Sequence, residues 1–85
     1  MTTATTEHQV MIAAKFYEAR RALKSLNPEG YAAKVRPWRE VIRAAADANH
    51  DGNEMMACYD LLKTTHDGMV QVVLLAATVD EIEGA

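Results

Sequence analysis

The sequence predicts an all-α protein, a small helical bundle of three to four helices in which an N-terminal antiparallel hairpin packs against a C-terminal helical unit. Three observations carry that expectation. Alanine, leucine, methionine, lysine, arginine and glutamate are frequent, whereas proline occurs twice and glycine four times, a bias toward helix. Two long stretches repeat apolar residues at alternating spacings of four and three, the period of a helix with one buried stripe. The run Met69–Val79 is apolar at nine of eleven positions and has no polar side on a helical wheel, so neighbouring helices or a second copy must sheath it. At 85 residues the chain is one domain, near the lower limit for a self-sufficient apolar core.

Residues 1–5 read as a disordered polar tail, and residues 6–85 as the bundle. Thr6-Glu7-His8-Gln9 has the spacing of a capping box, which starts the first helix. That helix runs to about Leu26, with Ile12, Phe16, Ala19, Leu23 and Leu26 on one stripe and Val10, Ala14 and Tyr17 on a weaker second one. Asn27-Pro28 pairs a favoured cap residue with proline at a first helical position, and so opens the second helix. Its stripe is Tyr31, Val35, Trp38, Ile42 and Ala45, whose phase continues across Pro37. A kinked helix fits that unbroken phase; a break before Pro37 is the alternative.

Asn49-His50-Asp51-Gly52 is turn chemistry, and Asp51 with Glu54 has capping-box spacing for a third helix whose inward residues are Met55, Met56, Tyr59 and Leu62. Thr64–Gly68 either separates this helix from a fourth or lies inside one rod from Glu54 to Ile82. The two His-Asp-Gly triplets, at 50–52 and 66–68, read as two helix starts sharing capping residues rather than as a repeat. Trp38, Phe16, Ile42, Leu23, Leu62, Leu74 and Leu75 are the expected core.

Charge is divided along the chain. Residues 1–43 carry eight basic and four acidic side chains, a net of +4, whereas residues 44–85 set Lys63 against eight acids, a net of −7. Such a division steers an anionic partner to one face or lets copies meet head to tail. The overall charge of −3 and pI near 5.5 lack the basic excess usual in nucleic-acid binders. Cys58 is the only cysteine, which excludes an intrachain disulfide and fits a cytoplasmic setting. The opening residues lack the basic and apolar regions of a signal peptide, and Met69–Val79 is far short of the roughly 20 residues that span a membrane.

Catalytic chemistry finds little footing. Cys58 falls beside an apolar face, where a thiol is inert, and Ser25 is the only serine. The glycines are isolated, so no phosphate loop forms, and Asp80 and Glu81 are adjacent rather than facing. Asp47-Ala-Asn49-His-Asp51-Gly52 resembles the opening of an EF-hand calcium loop, but the closing glutamate position is Cys58, which leaves at most a weak divalent-metal site. His50, Cys58 and His66 are spaced too far apart along a helix for one ion to bridge. No cofactor is implied.

The strongest functional lead is basic. Arg36, Arg39 and Arg43 form a strip on the second helix, and Arg20, Arg21 and Lys24 form a group late in the first, which a hairpin would bring together. Pairing of this face with the acidic second half is the plain alternative. Asp80, Glu81 and Glu83 lie at a helix C-terminus, where the macrodipole disfavours them, so a basic partner surface such as that of a second copy would offset the cost. In size, helicity and lack of catalytic motifs the chain resembles the compact accessory proteins of bacteriophages. The expected function is a non-enzymatic protein-binding module, an adaptor or inhibitor acting as a homodimer through these charged residues. Alternatives are an anion-binding module for nucleic acid or a nucleotide-like ligand at the Arg36/Arg39/Arg43 strip, and the weak metal site at Asp47–Asp51. Charge reversal at Arg39 and Arg43 is expected to abolish partner capture without unfolding the chain.

Overall fold

The structure, a computed structural model, describes residues 3–84, with side chains from residue 14 onward. Among the described residues the chain forms four α-helices and no strand: α1 (Thr3–Leu26), α2 (Tyr31–Asn49), α3 (Glu54–Lys63) and α4 (Gly68–Glu83). The protein is all-α.

α1 already runs as helix from Thr3, so the Thr6–Gln9 spacing lies inside it rather than at its cap. Of the expected tail, residues 3–5 belong to the helix, and residues 1–2 lie outside the described residues, as do the side chains of Val10 and Ile12. Phe16, Ala19 and Leu23 are buried as the stripe requires. Leu26 is not. It is 72% exposed, because it is the last helical residue and the chain turns away there.

Asn27 does use its side chain as a cap, but for a turn. Its Oδ1 accepts from the Gly30 amide at 3.0 Å, closing residues 28–30, and α2 begins only at Tyr31 with no side-chain cap of its own. α2 then runs unbroken through Pro37, which is solvent-exposed. Its buried residues are Tyr31, Val35, Ile42 and Ala46, with Trp38 and Ala45 partly covered.

α2 stops where Asp51 (φ 52°) and Gly52 (φ 83°) take the left-handed conformation, which glycine tolerates and most other residues do not. Asp51 is therefore a turn residue. The cap of α3 is Asn53, whose Oδ1 accepts from the Met56 amide at 3.1 Å. That places Ala57 and Cys58 on the inward face of α3 and turns Met56 outward, 48% exposed, contrary to the expected phase. Thr64–Asp67 separates α3 from α4, so the two are not one rod. Asp67 caps α4, accepting from the Met69 and Val70 amides at 2.9 and 3.1 Å.

α4 is the centre of the fold. Val73, Leu74, Ala76, Ala77, Thr78, Val79 and Asp80 are all buried, and Val70, Val72 and Leu75 are partly covered. Neighbouring helices of the same chain thus supply most of its sheath, and no second copy is needed for it. α1 and α2 are consecutive, yet each makes its main packing with α4 rather than with the other. The expected hairpin is wedged open. α3 packs on both α2 and α4, and Phe16 of α1 meets Tyr59 of α3 edge-to-face at 6.1 Å between ring centroids. Phe16, Leu23, Ile42 and Leu74 are fully buried, whereas Trp38, Leu62 and Leu75 cover the core from its margin.

Candidate functional site

The last turn of α4 gathers the charges. Asp80, Glu81 and Glu83 project in three directions, and each meets side chains of α1 or α2. Asp80, 5% exposed, accepts from the Tyr31 hydroxyl at 2.8 Å and from Arg20 Nη1 at 3.2 Å. Glu83 accepts from the same Arg20 Nη1 at 2.6 Å and from the Tyr17 hydroxyl. Glu81 is held from α2: Arg43 donates through Nε at 2.7 Å and Nη2 at 3.0 Å, and Arg39 through Nε at 3.1 Å. The Arg43 contact is the two-pronged grip that favours arginine over lysine.

The electrostatic consequences follow from these partners. Arg43 above all, with Arg39, holds the Glu81 carboxyl below the ordinary carboxylate range. The Tyr17 hydroxyl and then Arg20 do the same for Glu83. Burial, reinforced by the Asp80 carboxylate, pushes the Tyr31 phenol well above its usual value, and the hydrogen bond to Glu83 raises Tyr17. Negative charge at this helix end opposes the macrodipole. Arg20, Arg39 and Arg43 of the same chain offset it, so a second copy is not required for that purpose.

Beside this cluster lies a groove of about 640 Å³, lined by Lys24 of α1, by Tyr31, Val35, Arg36, Arg39 and Arg43 of α2, and by Asp80. Glu40 is also on its wall. Lys24 sits over the Tyr31 ring at 5.0 Å from its centroid, a cation–π contact. Neither Lys24 nor Arg36 has a carboxylate within ion-pair reach among the described residues.

Of the nine residues that the sequence nominates, Arg36, Arg39, Arg43, Lys24 and Asp80 share the groove. Arg20 is drawn to Asp80 and Glu83 instead, and Arg21 lies in a shallower depression with Tyr17, Arg20 and Lys24. The two basic groups therefore merge only in part. Tyr17, Tyr31 and Glu40 were not among the nominated residues. Tyr31 carried a signal, since a buried phenol requires a partner; the exposed Tyr17 and Glu40 carried none.

The pairing revises the expectation for Arg39 and Arg43. The Glu81 side chain is 10% exposed, so reversing both arginines would strand a largely buried carboxylate among like charges and destabilise the fold.

Elsewhere, His50 Nε2 meets Asp60 Oδ2 at 2.5 Å and ties the end of α2 to α3. Cys58 is fully buried, its Sγ 3.8 Å from the Leu74 carbonyl, and burial raises the thiol above its usual range, the opposite of what a nucleophile needs. Among the described residues no three His, Cys, Asp or Glu side chains are grouped to hold a metal ion, and no helix is long and apolar enough to cross a membrane. Comparison with family models, with curated proteins and with solved structures finds no match to this chain.

Proposed function

We propose that this chain is a non-enzymatic protein-binding module, an adaptor or inhibitor of the kind found among phage accessory proteins, that captures an acidic segment of a partner in the groove between Lys24 and the arginines of α2. One observation carries the reading: Lys24 and Arg36, two cations without ion-pair partners among the described residues, share a groove with two arginines and an aromatic ring. Carboxylates suit it better than a nucleic-acid backbone. The chain's net charge of −3 opposes a long polyanion, whereas a short acidic segment feels chiefly the local field. Lone, buried Cys58 fits a reducing, cytoplasmic setting.

The test uses a fluorescently labelled hexaglutamate peptide on the whole chain, with a single-stranded oligonucleotide as the competing probe. Lys24→Glu with Arg36→Glu is expected to abolish peptide binding and leave the helical circular dichroism unchanged. Unaltered peptide binding removes the groove from the account, and tighter binding of the oligonucleotide than of the peptide transfers it to nucleic acid.

Self-association is a second reading, favoured by the charge division between residues 1–43 and 44–85. Exposed Asp47, Asp51 and Asp67 of one copy would face the groove of another. Light scattering at high micromolar concentration in low salt is expected to show a dimer that added salt dissociates; a strict monomer under those conditions rejects it.

A further inference from the structure

We propose that Glu81 is an internal competitor for two arginines of the groove, a carboxylate that a partner's carboxylate must displace from Arg43 and Arg39. This inference rests on the acidic-segment reading above. The geometry points to exchange rather than addition. Glu81 fills Nε and Nη2 of Arg43 at 2.7 and 3.0 Å and Nε of Arg39 at 3.1 Å, the donors that would otherwise chelate an incoming carboxylate. Both arginines line the groove. Arg43 is 56% exposed, so a ligand reaches the pair from the arginine side, while Glu81 is covered from behind.

Glu81 is also placed to leave. It lies in the last turn of α4, which closes at Gly84 in the left-handed conformation (φ 72°). The helix macrodipole opposes its charge there. An incoming carboxylate off the helix axis escapes that cost. The segment that fits is one whose carboxylates reach Lys24 and Arg36 while another takes the place of Glu81.

The experiment compares Glu81→Gln with Glu40→Gln for hexaglutamate binding to the whole chain. Both remove one negative charge from the neighbourhood of the groove, but Glu81 is bonded to Arg43 through two donors, whereas Glu40 acts on Arg43 through its charge. If Glu81 holds the arginines about nine-tenths of the time, its loss tightens binding about tenfold, because apparent affinity scales with the competent fraction. Glu40→Gln is expected to give about twofold, the effect of an exposed charge. Equal gains for the two variants, or no gain for Glu81→Gln, overturn the displacement and leave the acidic-segment reading standing. Binding by neither the wild type nor Glu81→Gln overturns that reading together with this one. Should Glu81→Gln fail to fold, the wild-type chain decides by carbon NMR: the Glu81 carboxyl resonance is expected to shift to that of a free side chain at saturating peptide, and an unmoved resonance refutes the exchange.

Discussion

Asp80 is a carboxylate almost wholly removed from water, a state that a charged group survives only with countercharge and hydrogen bonds supplied to it. Arg20 supplies the charge and the Tyr31 hydroxyl a hydrogen bond, and no buried side-chain polar atom among the described residues lacks a partner. Tyr31→Phe removes that hydroxyl and is expected to cost about 1.5–3 kcal/mol, the range for a hydrogen bond to a charged group, measured by urea denaturation. The neighbouring glutamates give acid sensitivity of defined sign. Unfolded, they take up protons near about 4.3, whereas folded Glu81 and Glu83 hold out to lower pH. The unfolded chain therefore binds more protons between those values, so stability is complete above that range and is lost as pH falls through the folded values. Glu81→Gln is expected to flatten this acid limb in denaturation curves. At the alkaline end the sign reverses: Tyr17, Tyr31 and Tyr59 are all shifted upward, so native phenolic absorbance should stay low past about pH 10 and rise abruptly on unfolding. Spacing had put Tyr17 and Tyr31 on apolar stripes, correctly for Tyr31, whereas Tyr17 is 39% exposed. Their hydroxyl partners lie 66 and 49 residues away, a distance over which local pattern carries no information.

Helix existence was legible because it follows from periodicity and breakers that act within a few residues. Caps were less so. Asn27, Asp51 and Asn53 are all capable acceptors within reach of a helix start, and backbone conformation decides among them; Asp51 is lost to a left-handed turn, which leaves Asn53. Phase errors follow from such shifts, as Met56 illustrates by facing outward where Ala57 and Cys58 turn in. The Met69–Val79 run was read as enclosed, and most of it is, Met69 at 47% exposure being the exception, but by helices whose arrangement around it could not be derived. Leu74 is 1% exposed within that sheath, and Leu74→Ala is expected to cost about 2–5 kcal/mol in chemical denaturation. Ala76 and Ala77 leave no room for a larger side chain, so Ala77→Leu should destabilise by about 1–3 kcal/mol through overpacking. α2 offers the opposite change. Pro37 is exposed and in mid-helix, where it denies the Ala33 carbonyl its usual donor, so Pro37→Ala should raise the melting temperature, with a gain of up to about 3 kcal/mol.

The division of charge between the two parts of the sequence is met in the fold by contact: Arg20, Arg39 and Arg43 of the first part grip carboxylates of the second, whereas Lys24 and Arg36 are among the cations that make no ion pair among the described residues. Composition shows that the opposite charges exist, not which of them meet, and the functional residue set divides along that line. Arg39→Glu with Arg43→Glu is expected to lower the melting temperature, by less than for a fully buried pair because Arg43 is more than half exposed. Lys24→Glu with Arg36→Glu should leave it nearly unchanged. Opposite results in a thermal melt would reverse the assignment of structural and binding cations. The final turn of α4 has one more consequence, in time rather than in space. The three carboxylates that fasten α1 and α2 to it emerge from the ribosome after almost everything they clasp, so the growing chain has helices but no clasp until synthesis passes Glu83. Nascent chains stalled just before Asp80 should be cut readily by protease, and those released beyond Glu83 should resist it.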